Sequence, residues 1–97
     1  MPLYTIVRDV SGWADSDIDA AGVRAVICSY SYSEMRWIRS YLDRERGELL
    51  CLYEARNVEE LREHAARSRI PAGEIRLVEE ITSEPFFAAA GPPPGNG

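Results

Sequence analysis

The run Met35-Arg36-Trp37-Ile38-Arg39-Ser40-Tyr41-Leu42-Asp43-Arg44-Glu45-Arg46-Gly47-Glu48-Leu49-Leu50-Cys51-Leu52-Tyr53-Glu54 holds two strand patterns joined by a tight polar loop, and the fold follows from it. From Met35 to Asp43 the residues Trp37, Ile38, Tyr41 and Leu42 are set among polar neighbours, a strand pattern. Asp43 to Gly47 is polar and ends in glycine, which suits a hairpin loop. Glu48 to Glu54 continues as a strand whose centre is apolar on both parities. A strand patterned that way is buried on both faces and central in its sheet.

Working outward, Leu3 to Val10 is aromatic and β-branched and runs into Ser11-Gly12, so it predicts a first strand. Between it and the hairpin, Asp15, Ser16 and Asp17 supply the oxygens and negative charge of a helix start. Ile18, Ala21, Ala25 and Cys28 then share one helical stripe, and the Ser-Tyr repeat at 29–33 ends the helix. Beyond the hairpin, Asn57 is an N-cap with Glu60 three residues on, as in a capping box. Val58, Leu61, Ala65 and Ser68 form the inward stripe of this second helix. Ile70-Pro71 stops it, and Ile75 to Ile81 alternates as a fourth strand. The expected order is strand, helix, strand, strand, helix, strand, the split βαβ of a ferredoxin-like α+β sandwich. Right-handed crossovers place both helices on one face of a four-stranded antiparallel sheet with the first and third strands central. The expected domain is residues 1–83, and the Pro/Gly-rich stretch 84–97 is expected to be a disordered tail.

At 97 residues, 45% hydrophobic and 28% charged, the chain is sized and composed for a single globular core. A formal net charge of -5 repels phosphate backbones and anionic lipid, so nucleic acid and membranes are not expected partners. The same topology serves RNA-recognition motifs, with Tyr4 and Tyr53 at positions that could stack bases. No Lys/Arg-Gly-aromatic run precedes Tyr53, which removes that reading. No export leader opens the sequence, no apolar run approaches the ~20 residues of a membrane span, and Cys28 and Cys51 form no C-x-x-C pair. A cytoplasmic protein with reduced, buried cysteines is expected.

The stretches Trp37 to Tyr41, Cys51 to Ala55, Arg62 to Ala65, and Ile70-Pro71 with Ile75 to Glu79 together resemble a small family of ferredoxin-like domains of unknown function that includes a dimeric nickel-binding protein. The resemblance runs from about Tyr4 to Ile81 and implies the ferredoxin-like fold, a homodimer, and nickel or another divalent metal as a possible ligand. The nickel-binding member is similar in fold and owes its sites to several histidines, whereas His64 is the single histidine here.

Three groups of residues are candidates for chemistry. Glu60 and His64, one helical turn apart, are the pair to test as metal ligands, joined if need be by a symmetry mate; otherwise His64 is expected as a solvated histidine on the helix surface. Trp37, Arg39 and Tyr41 share one parity of the second strand, and Cys51 and Tyr53 one parity of the third. On the sheet face without helices they would form an aromatic patch bearing a guanidinium, which serves either as the centre of a homodimer interface or as a site for an anionic or aromatic small molecule. The dimer interface is the favoured expectation. Glu54 closes the third strand and is expected to pair with Arg8 or Arg39, or to act as a base. No histidine is placed to activate Cys51, so no catalytic residue is expected.

These readings converge on a non-enzymatic homodimeric binding protein for a metal ion or small molecule. The alternatives are a dimeric α/β-barrel enzyme of isomerase or monooxygenase type, requiring a cavity that holds Arg39, Tyr41 and Glu54 together, and a protein-interaction module using the acidic helix face.

Overall fold

In the computed structural model, which describes residues 1–95, the chain runs β1 (Leu3–Asp9), α1 (Asp15–Ser29), β2 (Arg36–Asp43), β3 (Glu48–Glu54), α2 (Val58–Ser68), β4 (Ile75–Val78) and α3 (Glu84–Ala90). The strands form one antiparallel sheet in the order β2-β3-β1-β4, the ferredoxin-like arrangement with β1 and β3 central. Tyr4, Ile6 and Arg8 alternate along β1 as buried residues, Val10 just past its end is buried too, and Cys51 and Tyr53 lie opposite Ile6 and Tyr4 on the same face. Helices α1 and α2 cover that face, with Leu61 and Ala55 completing the main core and Ala21, Ala25 and Ile70 a second cluster.

Local chemistry sets the helix ends. The Asp17 carboxylate accepts from the Ala14 N–H at 2.8 Å and closes the entry to α1. Asn57 Oδ1 accepts from the Glu60 N–H at 2.9 Å at the start of α2, as expected of an N-cap. At the far end Arg69 adopts a left-handed conformation (φ 58°). Arg24 of α1 donates from Nε to the Ser68 carbonyl at 2.7 Å, satisfying an acceptor the helix leaves open and setting a cation at its negative end.

Two expectations about extent are corrected. The fourth strand stops at Val78 rather than Ile81, because β1 begins at Leu3, the partner of Val78, and offers nothing further to pair with. The expected disordered tail is helical over part of its length: Pro85 in the first turn and Ala88-Ala89-Ala90 favour helix α3, none of whose residues is buried. Asn96 and Gly97, the end of that tail, lie outside the described residues. Among the described residues no helix is long and apolar enough to cross a membrane.

Candidate functional site

The site residues expected to share one face are divided between two. Trp37 pairs with Tyr53, but Arg39 pairs with the next residue back, Leu52, so Ile38 is the extra residue of a β-bulge. The bulge inverts the parity of β2. Trp37, Ser40 and Leu42 consequently face the helices with Tyr53, Cys51 and Leu49, while Arg39 and Tyr41 face the uncovered side with Leu52 and Leu50. The expectation of one patch holding Trp37, Arg39, Tyr41, Cys51 and Tyr53 is thus corrected.

On the uncovered side Glu54 pairs with Arg36 at 2.7 Å, not with Arg8 or Arg39, and Arg39 lies 3.6 Å from Glu80. Tyr41 and Leu50 are 60% and 41% exposed there, so β3 is central but not yet covered on both faces.

On the helix side the sheet and α1 flank a partly open cavity of about 230 Å³. It exists because α1 presents Ala21, Gly22 and Ala25 to the sheet, residues too small to fill the space between Trp13, Trp37 and Ile70. Most of the lining is apolar; Arg8 is its one charged residue. β1 delivers Arg8 there by alternation, two residues beyond Ile6, and leaves its side chain 1% exposed.

The Arg8 guanidinium has incomplete partners. Its Nη1 donates to the Pro71 carbonyl at 3.0 Å and its Nε to Cys51 Sγ at 3.3 Å. Its Cζ lies 5.8 Å from the centroid of the Tyr53 ring, a cation–π arrangement. Nη2 is buried with no hydrogen-bond partner, and among the described residues no carboxylate lies within ion-pair distance of Arg8. A buried cation without a counter-ion is costly, by several kcal/mol on general grounds. Beside it runs a polar thread in which Trp37 Nε1 donates to Ser40 Oγ at 2.8 Å and Ser40 Oγ donates to Cys51 Sγ at 2.9 Å. Cys51 is buried and accepts from both neighbours. The Tyr53 hydroxyl is pushed up to about 12 by burial, partly opposed by the positive charge of Arg8, and so stays protonated.

His64 is not on the surface, as expected, but fully buried. It falls on the same helical stripe as Leu61 and Ser68, which the sequence places three residues before and four after it. Its Nε2 is 2.9 Å from the Ala25 carbonyl; a carbonyl only accepts, so Nε2 carries the proton and Nδ1 is bare. Burial lowers its pKa, and the nearby charges of Arg8 and Arg67 act the same way against the raising effect of the Ala25 bond. A neutral ring packed edge-on against Tyr53, with centroids 5.6 Å apart, is a structural tie between α2 and α1.

The residues present do not fit a nickel centre. The expected pair Glu60 and His64 has one ring nitrogen committed to Ala25, and among the described residues no group of three or more His, Cys, Asp and Glu side chains comes together. Glu60 Oε2 and His64 Nδ1 are both buried without partners, and no third donor joins them.

Sequence reasoning singled out Trp37, Cys51 and Tyr53 but left open which sheet face they take, and it missed Arg8, Trp13 and Ser40 as site residues. The signal for Arg8 was present: an arginine at the inward parity of a strand whose other inward residues are Tyr4 and Ile6.

A comparison with curated proteins finds no match. The crystal structure of SCO4226 from Streptomyces coelicolor A3(2) superposes with a TM-score of 0.72 at 18% identity, covering 82% of this chain and 99% of that one. The likeness carries the fold. The model of the family described as nickel responsive protein SCO4226-like matches residues 4–78, from the first strand through the last, and the chain belongs to that family.

Proposed function

We propose that the protein is a homodimeric, non-enzymatic binding protein whose ligand is a small molecule held in the cavity between α1 and the sheet. One observation carries this reading: Arg8, buried and without a counter-ion, lines a cavity whose other walls are mostly apolar. An apolar pocket with one convergent charged group is the usual form of a small-molecule site. The homodimer rests on the uncovered sheet face, where Tyr41 and Leu50 are exposed, and on the exposed Ile81, Phe86 and Phe87 that follow β4. Apolar surface of that kind marks an association site.

The divalent-metal reading draws on the family's description as nickel responsive, and the ligand count at Glu60 and His64 speaks against it. The barrel-enzyme reading needed Arg39, Tyr41 and Glu54 around one cavity, and the first and last are engaged by Glu80 and Arg36.

Native mass spectrometry of the untagged protein tests the proposal. A dimer carrying the mass of a small organic molecule is expected. A bare monomer would remove the homodimer, and a dimer that retains only a metal ion would replace the small molecule by the metal.

A further inference from the structure

We infer that the cavity ligand is a small apolar monocarboxylic acid, its carboxylate paired with Arg8 and its body lying among Trp13, Ile18, Ala21, Trp37 and Ile70. This rests on the reading of the cavity as a small-molecule site and names the class of molecule it takes.

Charge comes first. Arg8 is the one charged residue of the lining, and its Nη2 is buried with no partner. A guanidinium held in low dielectric without an acid is completed by an anion, and its planar donor set matches a carboxylate. One cation balances one negative charge. A phosphate carries more charge and needs a nest of donors or a helix N-terminus, whereas α1 offers the wall its middle residues, Ile18, Ala21, Gly22 and Ala25.

Shape and lining follow. The space of about 230 Å³ exceeds the roughly 150 Å³ apolar cavity that admits benzene, so one ring or a short alkyl chain with its acid group fits. Two of the polar side chains in the lining already bond to each other: Ser40 Oγ takes the Trp37 N–H and gives its own hydrogen to Cys51 Sγ. The rest of the ligand therefore meets hydrocarbon and aromatic surface, which rewards an apolar body.

Both tryptophans of the chain, Trp13 and Trp37, line the cavity, so their fluorescence reports occupancy directly. Titrations would use phenylacetate, hexanoate and indole-3-acetate beside the neutral amide of each. The acids are expected to perturb the tryptophans and to bind at least about tenfold tighter than their amides, the loss that follows when a charged hydrogen bond goes unmade. Arg8→Met should abolish the preference and Arg8→Lys should retain part of it. Should Arg8→Met fail to fold, the acid-to-amide ratio in the unaltered protein still decides. Amides binding as tightly as acids would overturn the carboxylate assignment and leave the small-molecule site standing. Silence from all six compounds would overturn both.

Discussion

His64 and Arg8 are both buried titratable residues, and they do opposite things. His64 is neutral, bonded to Ala25 and spent on holding α2 to α1; Arg8 is short of partners, its Nη2 buried without a hydrogen bond. The histidine has a consequence for pH. Its folded-state pKa lies below the ordinary 6.5, so below that value the unfolded chain binds the proton that the folded chain refuses. Stability is therefore full above about pH 6.5 and declines as the pH falls toward the folded pKa, by up to about 1.4 kcal/mol per unit. Urea unfolding at pH 7.5 and 5.5 should show this decline in the unaltered protein and a smaller one in His64→Gln; equal declines would assign the pH dependence elsewhere. The sequence placed His64 on the helix but not inside it, because the inward stripe of α2 is built on small residues, Ala65 and Ser68, and the room they leave depends on how closely α1 approaches. Arg8 was harder to read: arginine is rarely buried, and only its parity with Tyr4 and Ile6 pointed inward.

The helices and strands were legible where a local rule governs them. Asn57 bonds to the Glu60 N–H as its residue type predicts, and Asn57→Ala should lower stability by about 1 kcal/mol. For a domain of this size that is a fall in Tm of roughly 4–8 °C, measurable by circular dichroism at 222 nm. No fall would mean that α2 is held by packing alone. The expected patch was broken up at the same scale by the bulge at Ile38. Trp37-Ile38-Arg39 contains no glycine or other residue that announces a bulge, and a one-residue slip sends every later side chain to the other face. Arg39 and Tyr41 were thereby parted from Trp37, and an expected surface patch became in part a cavity wall. α3 was missed because its pattern is short and overlaps a stretch rich in proline and glycine, whose composition outweighed Ala88-Ala89-Ala90.

For the whole molecule, the cavity and the uncovered sheet lie on opposite faces of the same four strands, so ligand binding and self-association can be separated by mutation. Leu50 sits at the centre of the uncovered face, between Tyr41 of β2 and Val7 of β1, and is 41% exposed. An arginine there leaves the core untouched while placing a charge where a second copy would pack. Leu50→Arg should therefore be monomeric in analytical ultracentrifugation, keep its thermal transition and leave the tryptophan environment of the cavity unchanged. The segment after β4 bears on the same surface, because Glu80 reaches Arg39 on the far edge strand, yet it lies beyond the residues the family model matches. Its helix α3 buries nothing within the chain, so ending the protein at Ser83 should alter monomer stability by no more than about 0.5 kcal/mol. If Phe86 and Phe87 pack on the partner, that truncation should weaken the dimer without abolishing it, while Leu50→Arg abolishes it. A truncated protein that dimerises as tightly as the full chain would confine the interface to the sheet, and a Leu50→Arg protein that stays dimeric would move it to another surface altogether.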